Sequence, residues 1–172
     1  MLSSMADRGG VCVADTVTAA VRSRMMAGIR GKDTGPELFV RRLLHRMGFR
    51  FRIHPTHLAG RPDLVLPKHR VAVFVHGCFW HQHPGCRYAT VPASNKVFWV
   101  QKLGRNRERD AEVQEMLSGA GWRVLTIWEC RIRDSQHDDD LAEKFSRWIR
   151  SARKTGEFPR PKSWGKSGAR RT

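Results

Sequence analysis

Two short apolar runs near the middle of the chain, DLVLP (63–67) and RVAVFVHG (70–77), constrain the fold most tightly. Each is too short for a core helix and rich in branched residues, and a basic turn at Lys68 to Arg70 separates them. That pattern predicts two adjacent antiparallel strands. Helical signals flank the pair. In DTGPELFVRRLLHRMG, Thr34 and Glu37 have capping-box spacing, Pro36 sits in the first turn and Gly48 is a natural stop. FRFRIH (49–54) alternates apolar and basic residues and predicts a further strand. Residues 95–119 predict a long helix, WRVLTIW (122–128) a strand and 138–151 a last helix; 21–30 have the makings of a short helix. Helix, three strands, helix, strand, helix is the order of an α/β fold, a mixed sheet flanked by helices.

Composition bounds the partners. The chain has 172 residues, enough for one domain, and 40% of them are hydrophobic, enough for a core. Residues 1–20 show no period and read as a flexible extension. Residues 21–151 form the domain, and from 152 to 172 the composition turns to a basic tail expected to be disordered. A net charge of +16 favours a polyanion, nucleic acid first, because each neutralised phosphate releases counterions. A basic membrane-surface protein is the alternative, but no amphipathic basic helix with an aromatic face supports it. The N-terminus has acidic residues and no sustained apolar core, so it does not read as a signal peptide. A cytoplasmic setting follows as the expectation, with Cys12, Cys78, Cys86 and Cys130 as thiols or metal ligands.

The chemistry gathers between 60 and 86. Asp63 stands at the mouth of DLVL, where a carboxylate can bind a hard cation such as magnesium. Taken alone, it reads equally as a turn residue capping its own backbone. The next strand runs into His76-Gly77-Cys78-Phe79-Trp80-His81. Two imidazoles directly downstream of Asp63 make poor core packing and shift the reading towards proton transfer beside a metal. Cys78, His83 and Cys86 have the spacing C-x4-H-x2-C, and Cys130 follows a later strand. Three thiolates and an imidazole suit a tetrahedral structural zinc; three buried free thiols and a surface histidine are the alternative. Of the paired aromatics, Phe98 is expected in the core. Phe79 and Trp80, among histidines and a cysteine, are candidates to slip between base steps.

GRPDLVL, VFVHGCFWHQHPGC, VPASNKVFWVQKLGRNRERD and GWRVLTIWEC together closely resemble the very-short-patch repair (Vsr) endonucleases, over roughly residues 22 to 133. The resemblance implies a fold related to the type II restriction endonucleases. It also implies a single-strand nick 5′ of the T in a T:G mismatch in double-stranded DNA, left by deamination of 5-methylcytosine. By position, Asp63 matches the metal-binding catalytic aspartate, and Val75 would lend its backbone carbonyl to the magnesium. His81 would be the general base and His76 a second catalytic histidine, supported by Asp110. Glu37 matches an acidic residue near the metal, a role that competes with helix capping. Cys78, His83, Cys86 and Cys130 match the zinc ligands. Phe79, Trp80 and Trp99 match intercalating aromatics, while Met26 and Ile29 match an N-terminal helix that enters the minor groove. A monomer acting on the nucleoid, with other mismatch-repair proteins as further partners, completes the expectation. A paired-DNA nuclease and a DNA-binding module without catalysis are the rival readings.

Overall fold

The computed structural model describes residues 32–133 and 139–159. The short helix expected over 21–30, with Met26 and Ile29, lies outside them. Helix α1 (Gly35–Arg46) begins at Thr34, whose side chain accepts from the Glu37 N–H, and carries Pro36 in its first turn. Strands β1 (Arg52–Ile53), β2 (Leu64–Leu66) and β3 (Val71–His76) follow, then the long helix α2 (Lys96–Gly119) and strand β4 (Arg123–Trp128). Helices α3 (Glu129–Arg133) and α4 (Asp139–Arg150) lead to strand β5 (Thr155–Phe158).

The five strands among the described residues form one mixed sheet in the order β1-β2-β3-β4-β5. β1, β2 and β3 pair antiparallel, as the basic turn between DLVL and VAVFVH requires. β3, β4 and β5 pair parallel. Parallel neighbours need a long crossover. α2 supplies it between β3 and β4, and α4 between β4 and β5.

Strand alternation sorts the core into two layers. Val71 and Val73 join Leu64, Leu66, Leu125 and Ile127 against Val40, Leu43 and Leu44 of α1 and Leu141, Phe145 and Ile149 of α4. Ala72, Val124 and half-buried Phe74 face the other way, against Val113 and Leu117 of α2. α2 buries residues near its two ends, Trp99 and Leu103, then Val113 and Leu117. Its polar middle is thereby free to carry Asn106 and Asp110.

Two expectations need correction. Residues 49–54 yield only the two-residue β1. Phe49 packs into the core while Ile53 is exposed, because His54 turns the chain with φ +44° before alternation can extend. Regular structure also enters the segment from 152 onwards, which the composition assigns to a disordered basic tail. Thr155–Phe158 adds β5 to the sheet, with Val124 opposite Thr155 and Ile127 opposite Phe158. Gly156 permits this: a Cβ there would lie 2.1 Å from Nε1 of Trp148.

Arg123 ties α4 to the sheet. Its guanidinium donates to the carbonyls of Ile149 and Trp148, both at 2.9 Å, and through Nε to Arg153 at 2.8 Å, and it lies over the Trp148 ring. It thus satisfies carbonyls at the C-terminal end of α4, where a cation is favoured. Arg123→Ala is expected to cost about 2–3 kcal/mol, as bonds to a charged donor are worth more than neutral ones. The check is a shift in urea midpoint; a midpoint within error of wild type would refute that role.

Candidate active site

Asp63 precedes β2 and reaches across to β3, where its Oδ2 accepts the Val75 N–H at 2.7 Å. Burial raises its carboxyl to about 6. The Val75 N–H opposes that rise, the Glu37 charge adds to it, and His54 and Arg41 work against it. A carboxylate kept uncomfortable by burial and a like charge gains most from a cation. The loop that delivers Asp63 turns at Gly60, φ +69°, where a Cβ would come within 2.4 Å of Val113 on α2. The loop is thereby seated directly on that helix.

Glu37 is almost fully buried. Its Oε1 accepts from the Thr34 hydroxyl at 2.9 Å, and its Oε2 from the Asp33 N–H at 3.1 Å and from Arg41 at 3.0 Å. This is the Thr34–Glu37 capping pair read in the sequence, shifted by one residue because Glu37 takes the Asp33 N–H in place of the Thr34 N–H, with Arg41 added one turn on. His54 Nε2 stands 3.7 Å from Glu37 Oε2 and 2.9 Å from Arg41 Nη2, and the His54 backbone N–H donates to the Asp63 backbone carbonyl at 3.3 Å. The capping role is therefore present, and Glu37 is also a neighbour of Asp63. Sequence reasoning missed Arg41 and His54. One is a basic residue on a helix and the other the end of an alternating run, and neither carries a signal that it would face Asp63.

The residue after Val75 is His76. Its ring stacks on His81, centroids 3.8 Å apart and planes within 7°. His81 Nδ1 lies 2.5 Å from Asp110 Oδ2. Asp110 from the polar middle of α2 therefore bonds His81, whereas the family resemblance implies that it supports His76. Burial drives His76 down to about 3, and the neighbouring His81 adds to the effect while Asp110 opposes it. Burial alone would raise the Asp110 carboxyl, but the bond to His81 and the nearby cationic groups hold it below its ordinary range. His76, His81 and Asp110 are close enough to hold a metal. The stacking argues otherwise: an imidazole ligates in its own plane, and two parallel planes do not meet at one ion. The trio is better built for proton transfer. It lines a cavity of about 780 Å³ bounded also by Phe74, Trp128 and Glu157.

Cys78, His83, Cys86 and Cys130 place one ligand atom each within 4.8 Å of the others. Cys130 Sγ is 3.4 Å and Cys78 Sγ 3.9 Å from His83 Nδ1. Successive turns bring them together, with the His83, Cys86 and Ala89 N–H groups donating to the carbonyls of Cys78, His83 and Cys86. Burial raises the Cys78 and Cys130 thiols, and their mutual proximity raises Cys130 further. Among the described residues His83 Nε2 is buried without a hydrogen-bond partner. Three soft donors and an imidazole, crowded and poorly satisfied, fit a metal ion. The four residues can hold one.

Next to this knot, Phe79 packs edge-on against Trp80 and Trp99 at 5.0 and 5.3 Å, and Lys102 Nζ lies 5.3 Å from the Trp80 ring centre. Asn106 donates to the Trp80 carbonyl at 3.0 Å and fixes the loop to α2. The expectation for Phe98 is reversed. Phe98 is 43% exposed and Trp99 9%, because the inward face of the first turn of α2 falls on Trp99. Val97 and Val100 are exposed beside Phe98, so an apolar ridge stands at this end of α2.

Comparison with known proteins settles the family. The family model described as DNA mismatch endonuclease Vsr matches residues 14–87. The DNA mismatch endonuclease Vsr of Escherichia coli (strain K12) is 41% identical over 139 residues, covering 80% of this chain and 88% of the relative. The chain belongs to the Vsr family of DNA mismatch endonucleases. The type II nicking enzyme V.XorIIP of Xanthomonas oryzae pv. oryzae is 44% identical over 120 residues, 70% of this chain and 88% of its own. A type II nicking enzyme of Neisseria meningitidis serogroup A, V.NmeAIP, is 37% identical over 138 residues, 80% and 98% of the two chains. This Vsr-family chain is thus a DNA endonuclease, a hydrolase of the phosphodiester backbone.

Proposed function

We propose that this endonuclease nicks one DNA strand on the 5′ side of the T in a T:G mismatch, by magnesium-dependent hydrolysis, and so starts very short patch repair of deaminated 5-methylcytosine. The observation that carries the reading is the pairing of two groups along β3. The half-buried Asp63 carboxylate accepts the Val75 N–H, and the next residue, His76, opens the His76–His81–Asp110 array. The mixed sheet carrying them at adjoining strand ends suits a restriction-endonuclease-like fold.

Asp63 and the Val75 carbonyl would hold the magnesium, whose chemistry is to polarise a phosphoryl oxygen and offset developing charge. His81 is the general base. Asp110 on Nδ1 fixes the tautomer with its proton there and leaves the Nε2 lone pair to take a proton from water. His76, held neutral by burial, stacks on His81 without adding a second positive charge to the ring that must accept the proton. Glu37 acts at one remove, through its charge near Asp63 while it caps α1.

Cys78, His83, Cys86 and Cys130 hold a structural zinc that fixes the loop carrying Phe79, Trp80 and His81. Phe79 and Trp80, backed by Trp99, intercalate beside the mismatch, where pairing is already weak and unstacking costs less. Met26 and Ile29 enter the minor groove from the N-terminal segment. One asymmetric T:G site needs a single copy, so the enzyme works as a monomer on DNA of the nucleoid, with other mismatch-repair proteins as its further partners. No helix among the described residues is long and apolar enough to cross a membrane.

The test is one incubation of purified protein and magnesium with duplexes that carry T:G or T:A at one position, read on a denaturing gel. The expected result is a single nick 5′ of the T in the T:G duplex alone. Equal cutting of both duplexes would point to a nuclease of paired DNA. Tight binding with no cut would point to a binding module.

A further inference from the structure

We propose that Trp128 and Glu157 are positioning residues that hold the catalytic His76 ring in place. The inference rests on the reading that His76 belongs to the nuclease centre. Trp128 ends β4 directly opposite His76 at the end of β3. The His76 ring is gripped by rings: Phe74 at 5.7 Å, His81 at 3.8 Å and Trp128 edge-on at 5.3 Å and 72°. Phe74 lies on its own strand, and His81 is the partner to be aligned. Trp128 is therefore the independent wall of the grip.

What holds Trp128 is visible as well. Its ring is 5% exposed and lies parallel to His83, 4.2 Å between centres and 14° between planes. Its indole N–H donates to a Glu157 carboxylate oxygen at 2.5 Å. A buried indole needs such an acceptor, and an ionised one makes the bond stronger and more directional. The acceptor comes from β5, where Glu157 stands opposite Thr126. Three elements thus meet on one ring: the cysteine–histidine knot through His83, the proton-transfer array through His76, and the last strand through Glu157. Reacting groups displaced by about 1 Å can lose about two orders of magnitude in rate, so the alignment of His76 against His81 is worth holding from outside.

The experiment is steady-state nicking of a T:G duplex by the metal-loaded full chain, with metal content and thermal melting measured on the same samples. Glu157→Leu is expected to lower kcat about 10- to 100-fold, as loss of an outer partner of a functional ligand typically does, with KM and metal content unchanged. Glu157→Gln keeps an acceptor and is expected to restore most of the rate. Trp128→Phe keeps a ring without the N–H and is expected to match Glu157→Leu, and the double variant to be no worse than either, since the two act as one unit. Should Trp128→Phe not fold, the Leu and Gln variants of Glu157 decide the matter alone. A wild-type kcat for folded Glu157→Leu would overturn the proposal. So would a loss confined to KM, which would place Glu157 against the DNA, or a Gln variant as impaired as Leu. His76→Ala is the control. If it nicks at the wild-type rate, the catalytic reading of His76 fails and takes this inference with it; if it is inactive while Glu157→Leu is fully active, only the positioning role fails.

Discussion

Replacing Asp63 with asparagine is expected to abolish nicking and, in the metal-free protein near neutral pH, to raise the melting temperature. The two effects share one cause. In the fold the Asp63 carboxyl titrates at about 6, against an ordinary value of 3.8, because it is buried beside another carboxylate. A carboxyl that binds its proton more tightly in the folded chain loses stability as pH rises from 3.8 to 6, and above 6 the whole penalty is present. At neutral pH that penalty amounts to at most about 3 kcal/mol. Asparagine keeps an oxygen for the Val75 N–H and carries no charge, so it removes the penalty. It also removes the anionic ligand for a hard cation, so the gain comes with loss of chemistry, the trade expected of a functional site.

His76 moves stability the other way. It stays neutral in the fold down to about 3. Between its ordinary 6.5 and that value, the unfolded chain takes up a proton that the folded chain does not, and stability falls as acid is added. In the wild type the Asp63 term partly offsets this fall. Asp63→Asn should therefore lose stability more steeply than wild type between pH 6 and 4. Melting curves across pH 4 to 8 check the point. Unchanged melting at pH 7, or a variant that still nicks, would defeat the assignment of Asp63.

The second large effect is expected at the cysteine–histidine knot. Native mass spectrometry should show one zinc per chain, and Cys86→Ser should lose it. Loops rich in turns and poor in core depend on the ion for their shape, and a complete zinc site supplies about 10 kcal/mol to small domains at neutral pH. In the metal-free protein burial holds the Cys78 and Cys130 thiols above their ordinary range, so binding the ion must release their protons and should tighten as pH rises. Cys86→Ser is expected to cost at least as much as truncation of a core residue, about 2–5 kcal/mol. It should also cut nicking severely, because His81 and the Phe79–Trp80 pair ride on that loop. A metal-free wild-type protein that is fully folded and active would remove the zinc from the account.

Much of this was legible in the residues because local chemistry decided it. Thr34 and Glu37 announced the start of α1, and the apolar runs flanking Lys68 to Arg70 announced an antiparallel pair ending in His76. The ligand spacing announced a compact cysteine–histidine group. What escaped was set by distant partners. TGEF carries a glycine and a glutamate and has no strand signature; it joins the sheet because β4 offers an open edge and Gly156 makes room for Trp148. Which histidine Asp110 meets depends on how the polar middle of α2 lies over the β3 loop, and no spacing in the chain records that. The inversion of Phe98 and Trp99 is a choice of one helical phase, settled where the first turn of α2 meets Phe79 and Trp80. Residues that support the site from outside, Glu157 above all, look in the sequence like ordinary charged positions.

The central claim, a divalent cation held by Asp63 beside a separate imidazole–carboxylate base, has a direct measurement. Crystals of the protein soaked in manganese, a stand-in for magnesium with the same preference for oxygen ligands, should show one anomalous peak bonded to the Asp63 carboxylate and the Val75 carbonyl, distinct from the zinc. A manganese peak among His76, His81 and Asp110, with Asp63 left bare, would contradict the account.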